Sequence, residues 1–167
     1  MLLAEITDTH LMDGGVPAYG TIETKAYLDA AVTTIAALTP KPDALLVAGD
    51  VSEDGTPGSY ALFRETVAPL GMPVYVIPGN HDAREPMRAA FAPDGYMPVA
   101  GHLDYSVDLG PLALIALDTL EEGEVFGTFG AERRAWLGET LDSLSGKPAI
   151  VMLHHPPFPT GTKMDEI

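Results

Sequence analysis

The chain has 167 residues, 46% of them hydrophobic, enough for one folded domain with a real core and too many for intrinsic disorder. Its 24 acidic and 9 basic side chains give a formal net charge of −15, and with no Lys or Arg cluster such a surface repels nucleic acid. Cysteine is absent, which removes disulfides, thiolate metal ligands and thiol nucleophiles together and fits a reducing compartment.

The first predicted strand, 2–6, runs into "TDTH", so Asp8 arrives too early for the apolar region of a signal peptide. A loop over 11–23 leads to a helix over 24–38, and strand 44–48 then ends in Gly49-Asp50. The helix over 57–69 can take Pro57 in its first turn, where no backbone donor is needed. Strand 74–77 runs straight into Pro-Gly-Asn-His-Asp, followed by a helix over 84–91 and a loop over 92–104. "YSVDLGPLALIAL" reads as a strand, a Gly-Pro turn and a second, antiparallel strand over 112–117. In the helix over 131–144, Trp136, Leu137, Leu141 and Leu144 fall at helical spacing and are expected to pack in the core. The last strand, 149–153, delivers His154 and His155 ahead of Pro-Pro.

Short, continuously apolar strands alternating with helices predict an α/β sheet covered on both faces, with right-handed crossovers. There is no internal repeat and no linker. No apolar run approaches the roughly 20 residues needed to span a bilayer. A soluble cytoplasmic protein with no membrane partner is the expectation.

In open α/β sheets ligands bind beyond the carboxyl ends of the strands. Four strands there present Asp8 and His10, Asp50, Asn80 and His81, and His154 and His155. Two carboxylates, an amide and up to four imidazoles suit Mn, Fe, Zn, Co or Mg, not copper or an iron–sulfur cluster. One carboxylate can bridge two cations, and a pair about 3.5–4 Å apart can clamp an in-line displacement at phosphorus. Two divalent cations against two carboxylates leave a centre of about +2, which would invert the repulsive field locally and draw in a phosphodiester anion. By contrast, Asp118 at the end of "LALIALD" is expected to be structural, His102 an ordinary loop residue, and Asp13, Glu53 and Asp54 solvated loop charges.

"DTH" at 8–10, "GD" at 49–50, "GNHD" at 79–82 and "HH" at 154–155, in this order and each after an apolar strand, resemble the calcineurin-like metallophosphoesterases. "IPGNHD" and "MLHHPPFPTG" look most like the class III cyclic nucleotide phosphodiesterases and the related glycerophosphodiesterases. The resemblance spans the whole chain and implies a layered αββα sandwich. It implies two divalent metal ions (Mn, Fe, Zn or Co), one held by Asp8 and His10, the other by Asn80 and His154, with Asp50 bridging both. It also implies that His81 faces the substrate, with Asp82 orienting it, and that Asn80 and His155 line the substrate site. The implied reaction is hydrolysis of a small phosphodiester, with phosphomonoesters, a nuclease role and a non-catalytic metal-binding fragment or subunit as alternatives.

The family pattern continues with G-H-x-H, and residues 1–167 contain no such motif. They are therefore expected to be the N-terminal portion of a single domain: the first sheet with its flanking helices, one imidazole short at each metal. An uncovered face of that sheet would favour a homo-oligomer or cover by another chain.

Overall fold

In a computed structural model, which describes residues 1–162, the strands are β1 (Leu3–Ile6), β2 (Ala44–Val47), β3 (Val74–Val76), β4 (Tyr105–Asp108), β5 (Ala113–Ala116) and β6 (Ala149–Met152). The helices are α1 (Thr24–Ala37), α2 (Pro57–Val67), α3 (Arg84–Phe91) and α4 (Ala131–Ser143). Among the described residues no helix is long and apolar enough to cross a membrane.

The strands form two sheets. β1, β2 and β3 pair in parallel in that order, with Leu3 opposite Ala44 and Leu45 opposite Val74. β4 and β5 pair antiparallel, as the Gly-Pro turn predicts, and β6 adds to β5 in parallel, with Ala113 opposite Ala149.

β2 shows why the layers form. All four of its residues are buried, and successive side chains point to opposite faces. Leu45 and Val47 join Leu28, Tyr60, Phe63, Met87 and Phe91 in the core beneath α1, α2 and α3. Leu46, followed by Ala48, joins Ile77, Tyr105, Leu114, Ala116 and Met152 in a second core between the sheets. Each fully buried Leu or Phe contributes about 1.5–3 kcal/mol relative to exposure. The hydroxyl of Tyr105 donates to the Val76 carbonyl at 2.8 Å, a buried bond from one sheet to the other.

Two expectations change here. The inner face of the first sheet is not bare, because β4, β5 and β6 already build a second sheet against it. A strand's own apolar pattern says that it is covered, not by which sheet. α4 buries none of its residues: Trp136, Leu137 and Leu144 are half-buried and Leu141 is exposed. Helical spacing fixed a face for them but supplied nothing to cover it.

Candidate metal centre

Backbone pairing between the β1 and β2 chains continues past the strands. Asp8 N–H donates to Gly49 O (3.1 Å), His10 N–H to Asp50 O (2.9 Å) and Leu11 N–H to Val51 O (3.1 Å). These bonds hold Asp8, His10 and Asp50 in left-handed backbone, with φ of 55°, 42° and 47°. Non-glycine residues pay strain there and keep it only where their surroundings over-determine the conformation. Glycines make the close approaches possible. A Cβ at Gly49 (φ 98°) would run into the His154 ring, and one at Gly79 into the Asp50 carboxylate.

The buried Asp50 side chain is the hub. Its Oδ1 accepts from the His81 backbone N–H at 2.9 Å. Its Oδ2 lies 3.5 Å from His10 Nε2 and 3.6 Å from His154 Nε2, and Asp8 Oδ1 lies 3.6 Å from the same His10 nitrogen. Those gaps are long for hydrogen bonds. They match ligand atoms converging on an ion about 2.0–2.2 Å from each.

The other face of each imidazole agrees. His154 Nδ1 donates to the Ala48 carbonyl (2.8 Å) and His10 Nδ1 to Glu53 Oε2 (2.7 Å). Neither oxygen can donate, so both rings carry Nδ1–H and leave the Nε2 lone pair facing Asp50, the outer-sphere pattern that orients metal-binding histidines. The cleft over these groups has a volume of about 810 Å³, and among the described residues its lining includes Glu5, Asp8, Asp50, Asn80, His81 and His155 but no Lys or Arg. Such a cleft would repel a phosphate ester unless cations neutralised it. The donor set thus fits divalent cations on geometry, tautomer and charge.

The His81 ring is partly exposed and meets the His10 ring edge-on, centroids 4.9 Å apart. His155 Nδ1 lies 2.7 Å from Thr119 Oγ1. Burial, then the neighbouring His154, lowers its pKa. His102 is exposed in its loop, as expected. Asp118 is structural: it is fully buried, holds Arg84 at 2.6 Å and accepts from the backbone N–H of Leu103 and Leu120.

Two residues differ from expectation. The buried Asp82 carboxylate does not orient His81. It accepts from the backbone N–H of Gly79 (2.9 Å), Val51 (3.1 Å) and Ser52 (3.0 Å) and from the Tyr60 hydroxyl (3.0 Å). It staples the β3 loop to the β2 loop, and burial, against those four donors, pushes its pKa up to about 6. The carboxylate that does reach the His81 ring is Glu53, 3.4 Å from Nδ1. Glu53 is 13% exposed in its side chain, not a solvated loop charge. Its position three residues after Asp50 was the available signal.

Carboxylates and imidazoles gathered where two packed sheets end, after D-x-H, G-D, G-N-H-D and H-H, define a metallophosphoesterase site. The chain belongs to the calcineurin-like phosphoesterase family, whose sequence model matches residues 1–166. It is 34% identical over 161 residues to a probable glycerophosphodiester phosphodiesterase, GpdQ, from Arcobacter nitrofigilis, covering 96% of this chain and 59% of that protein. It is also 34% identical over 169 residues to the 3',5'-cyclic adenosine monophosphate phosphodiesterase CpdA from Pseudomonas aeruginosa, covering 100% of this chain and 60% of that protein. The chain thus spans about 60% of the length of these relatives.

Proposed function

We propose that this chain carries the metal-binding part of a dinuclear phosphodiesterase acting on small diesters of the cyclic nucleotide or glycerophosphodiester type. The observation that carries the reading is the position of Asp50 Oδ2, 3.5 Å from His10 Nε2 and 3.6 Å from His154 Nε2. In this reading Asp8, His10 and Asp50 hold one divalent cation, and Asp50, Asn80 and His154 the other. When bound, the pair supplies Lewis acidity at phosphorus and an activated water as nucleophile. His81 binds the phosphoryl group and delivers a proton to the leaving alkoxide through Nε2. His155, fixed by Thr119, lines the substrate side. The names of the two relatives above support the diester class. The remaining imidazoles of the family pattern, absent from residues 1–167, would come from outside them, and a cytoplasmic setting fits the cysteine-free composition.

The test is hydrolysis of bis-p-nitrophenyl phosphate, 3',5'-cyclic AMP, a glycerophosphodiester and p-nitrophenyl phosphate by the longest natural chain loaded with Mn²⁺. Diester turnover that vanishes on chelation and returns with metal is expected. Turnover confined to the monoester, or insensitive to chelation, overturns the reading.

A further inference from the structure

Asp8 is held differently from Asp50. Asp50 is buried and accepts a backbone N–H, whereas the Asp8 side chain is half exposed, so packing does little to fix it. Among the described residues the Asp8 carboxylate accepts one hydrogen bond, from the Thr7 hydroxyl to Oδ2 at 2.5 Å. The other oxygen, Oδ1, is the one that lies 3.6 Å from His10 Nε2. Adjacent side chains of an extended strand point to opposite faces. The left-handed backbone of Asp8 (φ 55°) breaks that alternation, and the two side chains meet. The Thr7 hydroxyl also lies 3.2 Å from the Ala48 carbonyl, which already takes the Nδ1–H of His154 at 2.8 Å. It has one hydrogen to give, and the nearer, charged acceptor takes it.

We propose that Thr7 is a positioning residue that confines Asp8 to ligation through Oδ1 and so favours a small cation such as Mn²⁺ over Ca²⁺. The proposal rests on the reading of Asp8 as a metal ligand. A free carboxylate can turn both oxygens to one ion. With Oδ2 engaged by the hydroxyl, Oδ1 alone remains beside His10. Ca²⁺ takes about 6–8 oxygen ligands at roughly 2.3–2.6 Å and uses carboxylates through one oxygen or both. A smaller divalent ion demands near-octahedral geometry at shorter distances, where the narrow bite of a two-oxygen carboxylate fits poorly. Thr7 is β-branched, so few rotamers are open to it and its hydroxyl stays where Asp8 needs it.

Thr7 and Asp8 are both exposed and both line the cleft. A hydrogen bond open to water adds little to folding, so the effect of this one is orientation. Thr7→Val keeps the shape of the side chain and removes the hydroxyl. Thr7→Ser keeps the hydroxyl.

Calorimetric titration with Mn²⁺ and with Ca²⁺ is the measurement, and urea unfolding of the metal-free variants is its control. In Thr7→Val the Mn²⁺ affinity of one site should fall about 10–100-fold. Ca²⁺ affinity should fall less, so the preference for Mn²⁺ narrows while the urea midpoint stays at the parental value. Thr7→Ser should stay close to the parent. An unchanged Mn²⁺ preference in Thr7→Val overturns the proposal, and so does a Thr7→Ser protein as weak as Thr7→Val. A crystal structure of metal-free Thr7→Val adds an arm that needs no ion: the Asp8 carboxylate is expected to leave its place beside His10, and its staying there overturns the proposal as well. A parent chain that binds no Mn²⁺ overturns the dinuclear reading and the role of Asp8 with it, whereas parental metal binding in Thr7→Val overturns this proposal alone.

Discussion

Asp50 and His154 reside on different sheets, yet their side chains meet at 3.6 Å. His154 follows β6, whose pairing partner is β5, while Asp50 follows the central strand of the other sheet. The candidate metal centre is thus assembled across the junction of the sheets, with Asp50 as the group that faces both histidines.

From this position Asp50→Ala should cost more than Asp8→Ala. In the proposed dinuclear reading Asp50 faces both cation positions and Asp8 one; Asp50 also accepts from the His81 backbone, while half of the Asp8 side chain is exposed. Metal stoichiometry and diester turnover of both variants are the measurement. Loss of both metals in Asp50→Ala and of one in Asp8→Ala is expected, and two retained metals in Asp50→Ala would remove it from the bridging position.

His81→Ala should lower turnover by about 10²–10⁴ while metal content stays near the parental value. The loss should shrink for a p-nitrophenolate leaving group, which needs little protonation. Equal losses for good and poor leaving groups would argue for charge stabilisation in place of proton delivery.

Asp82→Ala should destabilise the fold by more than about 3 kcal/mol, because it strands three buried backbone donors and the Tyr60 hydroxyl. Tyr60→Phe should cost about 1 kcal/mol. Urea unfolding of the metal-free variants checks both values. A stable Asp82→Ala protein that had lost only turnover would return Asp82 to the chemistry.

Asp54 sets an acid limb on stability. Burial works against its charge, but bonds from the Thr56 backbone and hydroxyl, the Asp13 backbone and Ser52 hold its pKa down to about 2, from an ordinary value of 3.8. A depressed carboxylate stabilises the fold fully above its unfolded pKa and loses that contribution as pH falls toward its folded one. Asp54→Asn should therefore be less stable than the parent at neutral pH and flatten the stability profile between about pH 4 and 2. Urea midpoints across that range test it, and identical slopes for parent and variant would contradict it.

How far the sequence could be read depended on whether the deciding interaction was local. Helix α3 was legible to the residue, Arg84–Phe91, because turn chemistry bounds it at both ends. That Asp8, His10, Asp50, His81 and His154 share one cleft could be read because each follows a largely apolar strand, and backbone pairing beyond β1 and β2 puts the first three side by side. Asp82 misled because adjacency along the chain says nothing about where a side chain turns; Tyr60 and three amides settle that. Glu53 was missed for the complementary reason. It reads as a hydrophilic loop residue, and the imidazoles that draw it inward come from other strands. The pairing of β6 with β5 was hidden because an apolar tetrapeptide fits either sheet.

The inter-sheet junction also has a mechanical side. Apolar side chains and the Tyr105–Val76 bond hold its interior; at the strands' carboxyl ends the bond from His154 Nδ1 to the Ala48 carbonyl crosses it, while Asp50 Oδ2 and His154 Nε2 face each other unbonded. An ion seated between them would act as a clasp, cross-linking two sheets that otherwise adhere mainly through oily contact. Filling the site would then be part of folding, and cation supply would tune the rigidity of the sandwich: a ligand at 100 times its Kd adds about 2.7 kcal/mol to the folded state.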